Sequence, residues 1–482
     1  GRVASGVTRG VGPLNTRIIS TAKAREFQTN LIRSHTVGVG EPLPAEVVRA
    51  CMLLRANTLA RGMSGVRLKT LLTLIDMLNM DVRPLVPRVG ALGAGADVIS
   101  LAHIASAIIG EGQVMYGGIL TDGKSAMQKA GIPTVELSFK EGLALMNGPS
   151  LAVALAALAV FDATNLMKTA DIAAAMSLEA RGGITEPLDE KIHTAKPHRG
   201  QIATARNIQR LIEGSKLVTT LADARSKLEA THKPHEMTEA TRESDVHIED
   251  PHAFRCIPQV VGAARDALAF ARGVVETEVN STSDNPLILP TGEILPSGNF
   301  HAEHVALAMD TLCIALTLVG NMVESRMARL LSSSVFGGLP RFLMEDQTQP
   351  TLGFVGLQNS TAALAAENRI LSTPASVHHV PMVTENQDAV SMGTLAANKV
   401  LRVLANMEHL LAMELICAAQ GVELRRPGMM GKGTAIAFRV VRSWVSFLSQ
   451  DRPLHTDVER LTRSVHSGAI VTKVEEIISR LE

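Results

Sequence analysis

The segment AEHVALAMDTLCIALTLVGNMVESRMARLL, residues 302–331, decides the predicted fold. Its apolar residues recur at spacings of three and four, which places them on one face of a helix: Val305, Ala308, Met309, Leu312, Ala315 and Leu316. Similar long runs cover residues 257–280, 357–370 and 389–420. Strand signals are confined to residues 134–137 and to short pieces before residue 100. The pattern predicts a mainly α protein built around a long helical bundle.

Glycine and proline divide the rest of the chain. They cluster at residues 10–13, 38–44 and 84–95, so we predict a loop-rich N-terminal domain with its own helices over residues 1–135. Residues 136–482 are predicted to form the central helical bundle. Within it, residues from about 195 to 245 are polar and charged, which indicates a surface insert or lid.

Composition gives no electrostatic reason to expect a nucleic acid or a membrane as partner. Lys and Arg total 47, as do Asp and Glu, so the formal net charge is zero. The four cysteines lie far apart and in no metal-ligand spacing, which favours reduced thiols and a cytoplasmic location: Cys51, Cys256, Cys313 and Cys417. Residues 142–161 are uncharged and just long enough to span a bilayer. Because Asn147, Gly148 and Pro149 interrupt them, we predict a buried core helix.

The segment GALGAGADVISLAHIASAIIGEG, residues 90–112, joins a glycine-rich loop to an apolar helix. Asp97 is the expected N-cap of this helix, and Gly110 is its expected end. The helix N-terminus directs free N–H groups and a partial positive charge at the loop, which suits an anion or developing negative charge. A plain tight turn is the alternative interpretation.

A series of motifs runs along the chain in a characteristic order. They are GVTRGVG (6–12), RSHTVGVGEPL (33–43), RANTLARGMSGVR (55–67), PLVPRVGALGAGADVISLAHIASAIIGEG (84–112), FKEGLALMNG (139–148), EDPHAFRCIPQVVG (249–262), SDNPL (283–287), SGNFHAE (297–303), LAAENRILSTPASV (364–377) and ENQDAVSMG (385–393). The series resembles the histidine, phenylalanine and tyrosine ammonia-lyases and the related aminomutases. The resemblance implies a fumarase/aspartase-like helical fold, a small amino acid substrate, and a homotetramer with shared active sites, whose catalytic loops lie in the N-terminal domain.

In that family an Ala-Ser-Gly triplet cyclises and loses water to give a methylidene-imidazolone electrophile. The matching triplet here is Ala94-Gly95-Ala96. Because Gly95 carries no hydroxyl to expel, we expect no such group and no other cofactor. The family also carries a catalytic tyrosine in its first loop, and the matching residue here is Ser5, a poor base unless another group activates it.

The resemblance assigns further site residues. Arg255 matches the family's carboxylate clamp, and Glu249 and His252 stand where the family commonly has Gln and Tyr. His252 is the candidate replacement base, with a purely structural histidine as the alternative. Asn147 matches the asparagine that hydrogen-bonds the substrate and the electrophile. Three residues are expected to line the substrate pocket: His35, Phe354 and Gln387.

Two remaining features are predicted to lack a catalytic role. Tyr116, the one tyrosine, matches no catalytic position and is expected to pack. His378 and His379 are adjacent, but their spacing alone does not suggest metal ligands, and we predict no metal site.

The sequence therefore leaves three functions open. The first is α,β-elimination from an aromatic or imidazole amino acid, or from its trimethylammonium betaine such as ergothioneine, without the usual electrophile. The second is a non-catalytic relative that binds an amino acid or pairs with an active subunit. The third is an ordinary histidine or tyrosine ammonia-lyase, or aminomutase, that has been inactivated.

Overall fold

The structure is a computed structural model that describes residues 6–93, 96–231, 240–241, 244, 246–332, 338–378, 380–381, 387–425 and 427–482. Three of the predicted site positions, Ser5, Ala94 and Gly95, lie outside the described residues, as does His379. Helices dominate the rest, so the prediction of a mainly α protein is confirmed.

The first third of the chain contains short helices and most of the strands. The helices are α1 (Ala24–His35), α2 (Ala45–Ala60), α3 (Leu68–Asn79), α4 (Val98–Ile108), α5 (Gly123–Lys129) and α6 (Glu141–Met146). The strands are β1 (Val39–Pro42), β2 (Arg83–Pro84), β3 (Pro87–Val89), β4 (Gln113–Tyr116) and β5 (Ile119–Asp122). Strand β1 pairs antiparallel with β3, and β4 lies between β2 and β5. Tyr116 ends β4 opposite Ile119.

The strand expected at residues 134–137 does not form. Val135 donates its N–H to the carbonyl of Ile108, at 2.9 Å, and the segment crosses the end of α4 without joining a sheet. The apolar residues of this segment are instead buried on irregular backbone, since Val135 and Leu137 are 6% and 2% exposed.

The remaining chain is dominated by long helices. They are α7 (Ser150–Arg181), α8 (Glu190–Ala195), α9 (Arg199–Leu211), α10 (Leu221–Thr231), α11 (His252–Arg255), α12 (Ile257–Val279), α13 (Glu303–Leu331), α14 (Val355–Leu371), α15 (Gly393–Leu424), α16 (Lys432–Trp444), α17 (His455–His466) and α18 (Ala469–Ile478). A small hairpin joins β6 (Leu287–Ile288) to β7 (Ile294–Leu295). Helices α12 to α15 agree closely with the four apolar runs.

The prediction of a single core helix over residues 142–161 is wrong in its bounds. Asn147, Gly148 and Pro149 separate α6 from α7, and α7 continues to Arg181. Helices α7 and α13 are long and apolar enough to cross a bilayer by length and composition. In each, 67% of the most apolar window is buried within the chain, as expected for core helices.

The chain forms two compact units, each discontinuous in sequence. Unit 1 comprises Gly1–Val160, Phe270–Thr311 and Pro374–Leu401, and unit 2 comprises Phe161–Ala269, Leu312–Thr373 and Arg402–Glu482. The predicted domains, 1–135 and 136–482, are a different division and stay a prediction.

The first half of the predicted surface insert is packed into unit 2. Helix α9 buries one face, including Ala203, Ile208 and Leu211, and His193 of α8 is 1% exposed. Those apolar residues lie on one face of an amphipathic helix within a polar sequence. A prediction from composition alone therefore missed this helix.

Candidate active site

The end of the glycine-rich loop is bound to the break between α6 and α7 in unit 1. Gly93 and Ala96 form an antiparallel bridge, and Ala96 also pairs with Gly148 in parallel. Asp97 donates its N–H to the carbonyl of Gly148, at 3.2 Å. The last residue of the triplet therefore lies beside the Asn147-Gly148 turn, which brings two of the predicted site segments together.

The backbone around the triplet adopts conformations that favour glycine. Gly93 has a φ of +90°, and a Cβ there would lie 2.3 Å from the hydroxyl oxygen of Ser391. Ala96 has a φ of +70° and is 1% exposed. An L-residue in the left-handed region costs about 1–2 kcal/mol, and Ala96 stands where the family triplet has glycine. The third position of the triplet thus has a backbone conformation that favours glycine, although its residue is alanine.

The triplet does not fit the family's prosthetic group. The precursor must lose a side-chain hydroxyl from its middle residue, and residue 95 is a glycine. The strained alanine that follows is a second departure. No catalytic step can therefore be routed through a methylidene-imidazolone in this chain.

Asp97 is the N-cap residue of α4, as predicted, but its carboxylate caps a different helix. Its side chain makes no capping bond in α4. Its Oδ2 instead accepts the N–H groups of Leu151 and Ala152, at 2.8 and 2.9 Å, and so caps the first turn of α7. Its Oδ1 accepts the hydroxyl of Thr394. Burial raises the pKa of Asp97 to about 6, although these hydrogen bonds act in the opposite direction.

The amide of Asn147 is held in one orientation. Its Nδ2 donates to Oδ1 of Asp284 at 3.2 Å and to the carbonyl of Asn285 at 2.8 Å. Both partners are acceptors, so the nitrogen must face them. Among the described residues no donor reaches Oδ1 of Asn147, which leaves that oxygen as an acceptor for a ligand.

Buried charges surround this amide. Lys140 and Asp284 form an ion pair at 2.8 Å with side-chain exposures of 1% and 0%. Arg55, also fully buried, donates to the carbonyls of Asn147 and Ser283. Burial lowers the pKa of both Lys140 and Arg55, and the charge of Asp284 opposes this effect. The sequence motifs contained these residues, but nothing in them indicated that they meet.

A second group of predicted residues lies on one short segment of unit 2. His252 begins α11 and is exposed, and Arg255 ends α11 and forms an ion pair with Glu249. The segment is held by Arg181, whose Nε lies 2.9 Å from Asp250. An imidazole, a carboxylate and a guanidinium are thus available together within seven residues, 249–255.

The remaining predicted pocket residues have different environments. His35 ends α1 and is half-buried, with Nδ1 2.9 Å from the carbonyl of Leu31 and from Oγ of Ser34. Gln387 is half-buried in unit 1. Phe354 is 2% exposed, so its ring packs in the core of unit 2, and its contact with a substrate stays a prediction.

No group of three or more His, Cys, Asp or Glu side chains within the described residues is arranged to hold a metal ion. His378 is exposed.

Comparison with known proteins gives one family. The family described as aromatic amino acid lyase matches residues 1–443. A histidine ammonia-lyase of Caldanaerobacter subterraneus subsp. tengcongensis is 43% identical over 479 residues, which cover 99% of this chain and 89% of that protein. The tyrosine aminomutase of Streptomyces globisporus superimposes with a TM-score of 0.93 and 38% identity, covering 98% of this chain and 89% of that one. The ergothioneine-degrading enzyme ergothionase of Treponema denticola superimposes with a TM-score of 0.86 and 28% identity, covering 97% of this chain and 89% of that one.

Proposed function

Because the chain belongs to the aromatic amino acid lyase family, we propose that it eliminates an amine from an aromatic or imidazole amino acid, or from its trimethylammonium betaine, without the family's electrophile. The observation that carries this proposal is the triplet Ala94-Gly95-Ala96, in which no hydroxyl is present to form the electrophile.

The absent electrophile favours the betaine among these substrates. A base removes the β-proton, the electron pair forms the Cα–Cβ double bond, and the Cα–N bond breaks with its electrons leaving on nitrogen. A trimethylammonium group departs as neutral trimethylamine, so it needs no covalent activation. Ammonia is the poorer leaving group, and the electrophile exists to activate it. The similarity to an ergothioneine-degrading enzyme supports this choice.

The segment 249–255 supplies the charges for this reaction in our proposal. Arg255 binds the substrate carboxylate through two parallel hydrogen bonds after its ion pair with Glu249 opens. Glu249 is then free to stabilise the cationic amine. His252 is the base that takes the β-proton, because an imidazole nitrogen can accept a proton and this side chain is exposed.

The family resemblance also assigns substrate-contacting roles to residues of unit 1 in our proposal. The open Oδ1 of Asn147 accepts a hydrogen bond or attracts the positive amine end of the substrate. His35 and Gln387 favour a polar ring such as imidazole over a phenyl ring. Ser5 stands at the position of the lost tyrosine and is not expected to act as a base.

We further propose that the chain assembles as a homotetramer whose active sites draw residues from several subunits, in the cytoplasm. The family resemblance supports the assembly, and the wide spacing of the four cysteines in the sequence supports the location. Light scattering coupled to gel filtration measures the assembly directly, and a monomer would contradict it.

A second candidate is a non-catalytic subunit that binds an amino acid. The Glu249–Arg255 ion pair favours it, because that pair occupies the carboxylate clamp. The simultaneous absence of the triplet serine and of the first-loop tyrosine favours it as well.

One assay separates these candidates. The protein is incubated with histidine, tyrosine, phenylalanine and ergothioneine, and the acrylate product is followed by its ultraviolet absorbance. Product from ergothioneine alone supports the proposal. Thermal stabilisation by a substrate without product supports the binding subunit. Ammonia release from the amino acids at ordinary lyase rates would refute both. The variant His252→Ala should lose about 100-fold or more in turnover, whereas the exposed control His378→Ala should not.

A further inference from the structure

Unit 2 contains a cavity of about 780 Å³ whose wall includes Asp250 but none of the side chains proposed to act on the substrate. The end of α7, residues 216–219, helix α10, residues 246–250 and the end of α15 form its walls. A volume of this size suits a small metabolite. We call it the Arg425 cavity, after the residue that distinguishes it. Its charged side chains are Arg181, Lys216, Asp223, Lys227, Asp250 and Arg425, with His247 beside them.

The carboxylates of the Arg425 cavity are already engaged. Asp250 pairs with Arg181 through one oxygen at 2.9 Å, and its other oxygen accepts the N–H of Ile184 at 2.6 Å. Asp223 accepts the hydroxyl of Thr220 at 2.7 Å. Among the described lining residues, four cationic side chains therefore face two carboxylates, so positive charge is in excess there.

Arg425 is the half-buried cation of this cavity whose hydrogen-bond donors are not all used. Its Nη2 donates to the carbonyl of Arg181 at 3.0 Å, and its buried Nε has no acceptor among the described residues. No ion pair of Arg425 occurs in the described part of the chain. Burial lowers the pKa of Arg425, and the charge of Arg181 adds to this effect. Buried guanidinium donors that lack acceptors reduce the stability of the fold, unless a ligand accepts hydrogen bonds from them.

We propose that the Arg425 cavity binds a small oxyanion, a carboxylate or a phosphate. A planar guanidinium presents two parallel N–H groups that match the oxygens of either anion. Lys216, which is exposed at the rim, adds a second positive charge for the same ligand. The site is distinct from the Arg255 clamp, so this inference does not depend on the proposed reaction.

The test is calorimetric titration of the full-length protein at constant ionic strength. Inorganic phosphate is one ligand, succinate is the other, and sodium chloride is the control for ionic strength. We expect saturable binding of at least one oxyanion, and the two arms distinguish a phosphate site from a carboxylate site. Failure of both oxyanions to bind above the chloride control would overturn the proposal.

Three variants locate the binding. Arg425→Gln should weaken it by about tenfold to a hundredfold, the range for removing a charge-assisted hydrogen-bonding group. Lys216→Gln should weaken it by about twofold to fivefold, because its charge is solvated. Arg439→Gln removes an exposed arginine of α16 outside the cavity and should leave binding unchanged. If Arg425→Gln does not fold, the oxyanion affinity of Lys216→Gln alone tests the location of the site. An unchanged oxyanion affinity in Lys216→Gln, and in Arg425→Gln where that variant folds, would refute the site.

Discussion

Replacement of Asp97 by asparagine should remove a specific pH dependence from the stability of the protein. Asp97 is 1% exposed and caps α7 through the N–H groups of Leu151 and Ala152. Asparagine has the same shape, offers an oxygen to the same N–H groups, and can direct its amide at the Thr394 hydroxyl. The substitution therefore preserves the cap while it removes the titrating proton.

The size of the effect follows from the pKa of Asp97. Burial raises it from 3.8 to about 6. Between these two pH values the folded chain holds a proton that the unfolded chain has released, so folding stability falls as the pH rises through this window. The loss is about 3 kcal/mol, from about 1.4 kcal/mol per pKa unit. For a chain of 482 residues this corresponds to about 3 °C in Tm.

Scanning calorimetry at a fixed scan rate from about pH 4 to 7 measures this effect as a difference between two proteins. The Tm of Asp97→Asn, relative to the natural sequence, should rise by about 3 °C across the window. The exposed aspartate Asp76 of α3 supplies the control, since Asp76→Asn should show no such trend. Parallel pH profiles for Asp97→Asn and the natural sequence would show that the buried carboxyl does not titrate as described.

Three other substitutions have defined outcomes. Asp284→Asn leaves Lys140 buried without its charge partner and should cost about 3–5 kcal/mol, seen as a lower Tm. Gly148→Ala places a Cβ 2.5 Å from the carbonyl oxygen of Ser283 at a φ of +134°, and should cost more than about 1 kcal/mol; an unchanged Tm would mean that the turn relaxes freely. Arg255→Lys cannot form two parallel hydrogen bonds to a carboxylate, so kcat/KM with ergothioneine should fall by about tenfold or more, and equal rates would argue against the clamp.

The helical part of the fold was largely predictable because its signal is local. Residues 257–280 were expected to be helical, and α12 covers Ile257–Val279. Apolar spacing specifies a buried helix face wherever the helix lies. The same spacing also marked α9, but the polar composition around it pointed to a surface insert instead.

The organisation of the site was less predictable because its contacts are distant in sequence. Asp97 is the N-cap residue of the helix that follows it, as predicted, yet its carboxylate caps α7, more than fifty residues later in the chain. Lys140 meets Asp284 across 144 residues, and no local pattern contains that pairing. The prediction at residue 95, in contrast, depends only on which side chain is present, so it needs no knowledge of distant contacts.

The most direct test of the central claim is a high-resolution mass measurement of the purified protein, followed by peptide mapping of residues 90–112. If residues 94–96 do not cyclise, the protein has the mass of the unmodified sequence, and the 90–112 peptide has lost no water. The double variant Gly95→Ser, Ala96→Gly restores the family triplet and serves as the positive control for detecting cyclisation. A natural protein whose 90–112 peptide lacks the mass of one water would contradict the account.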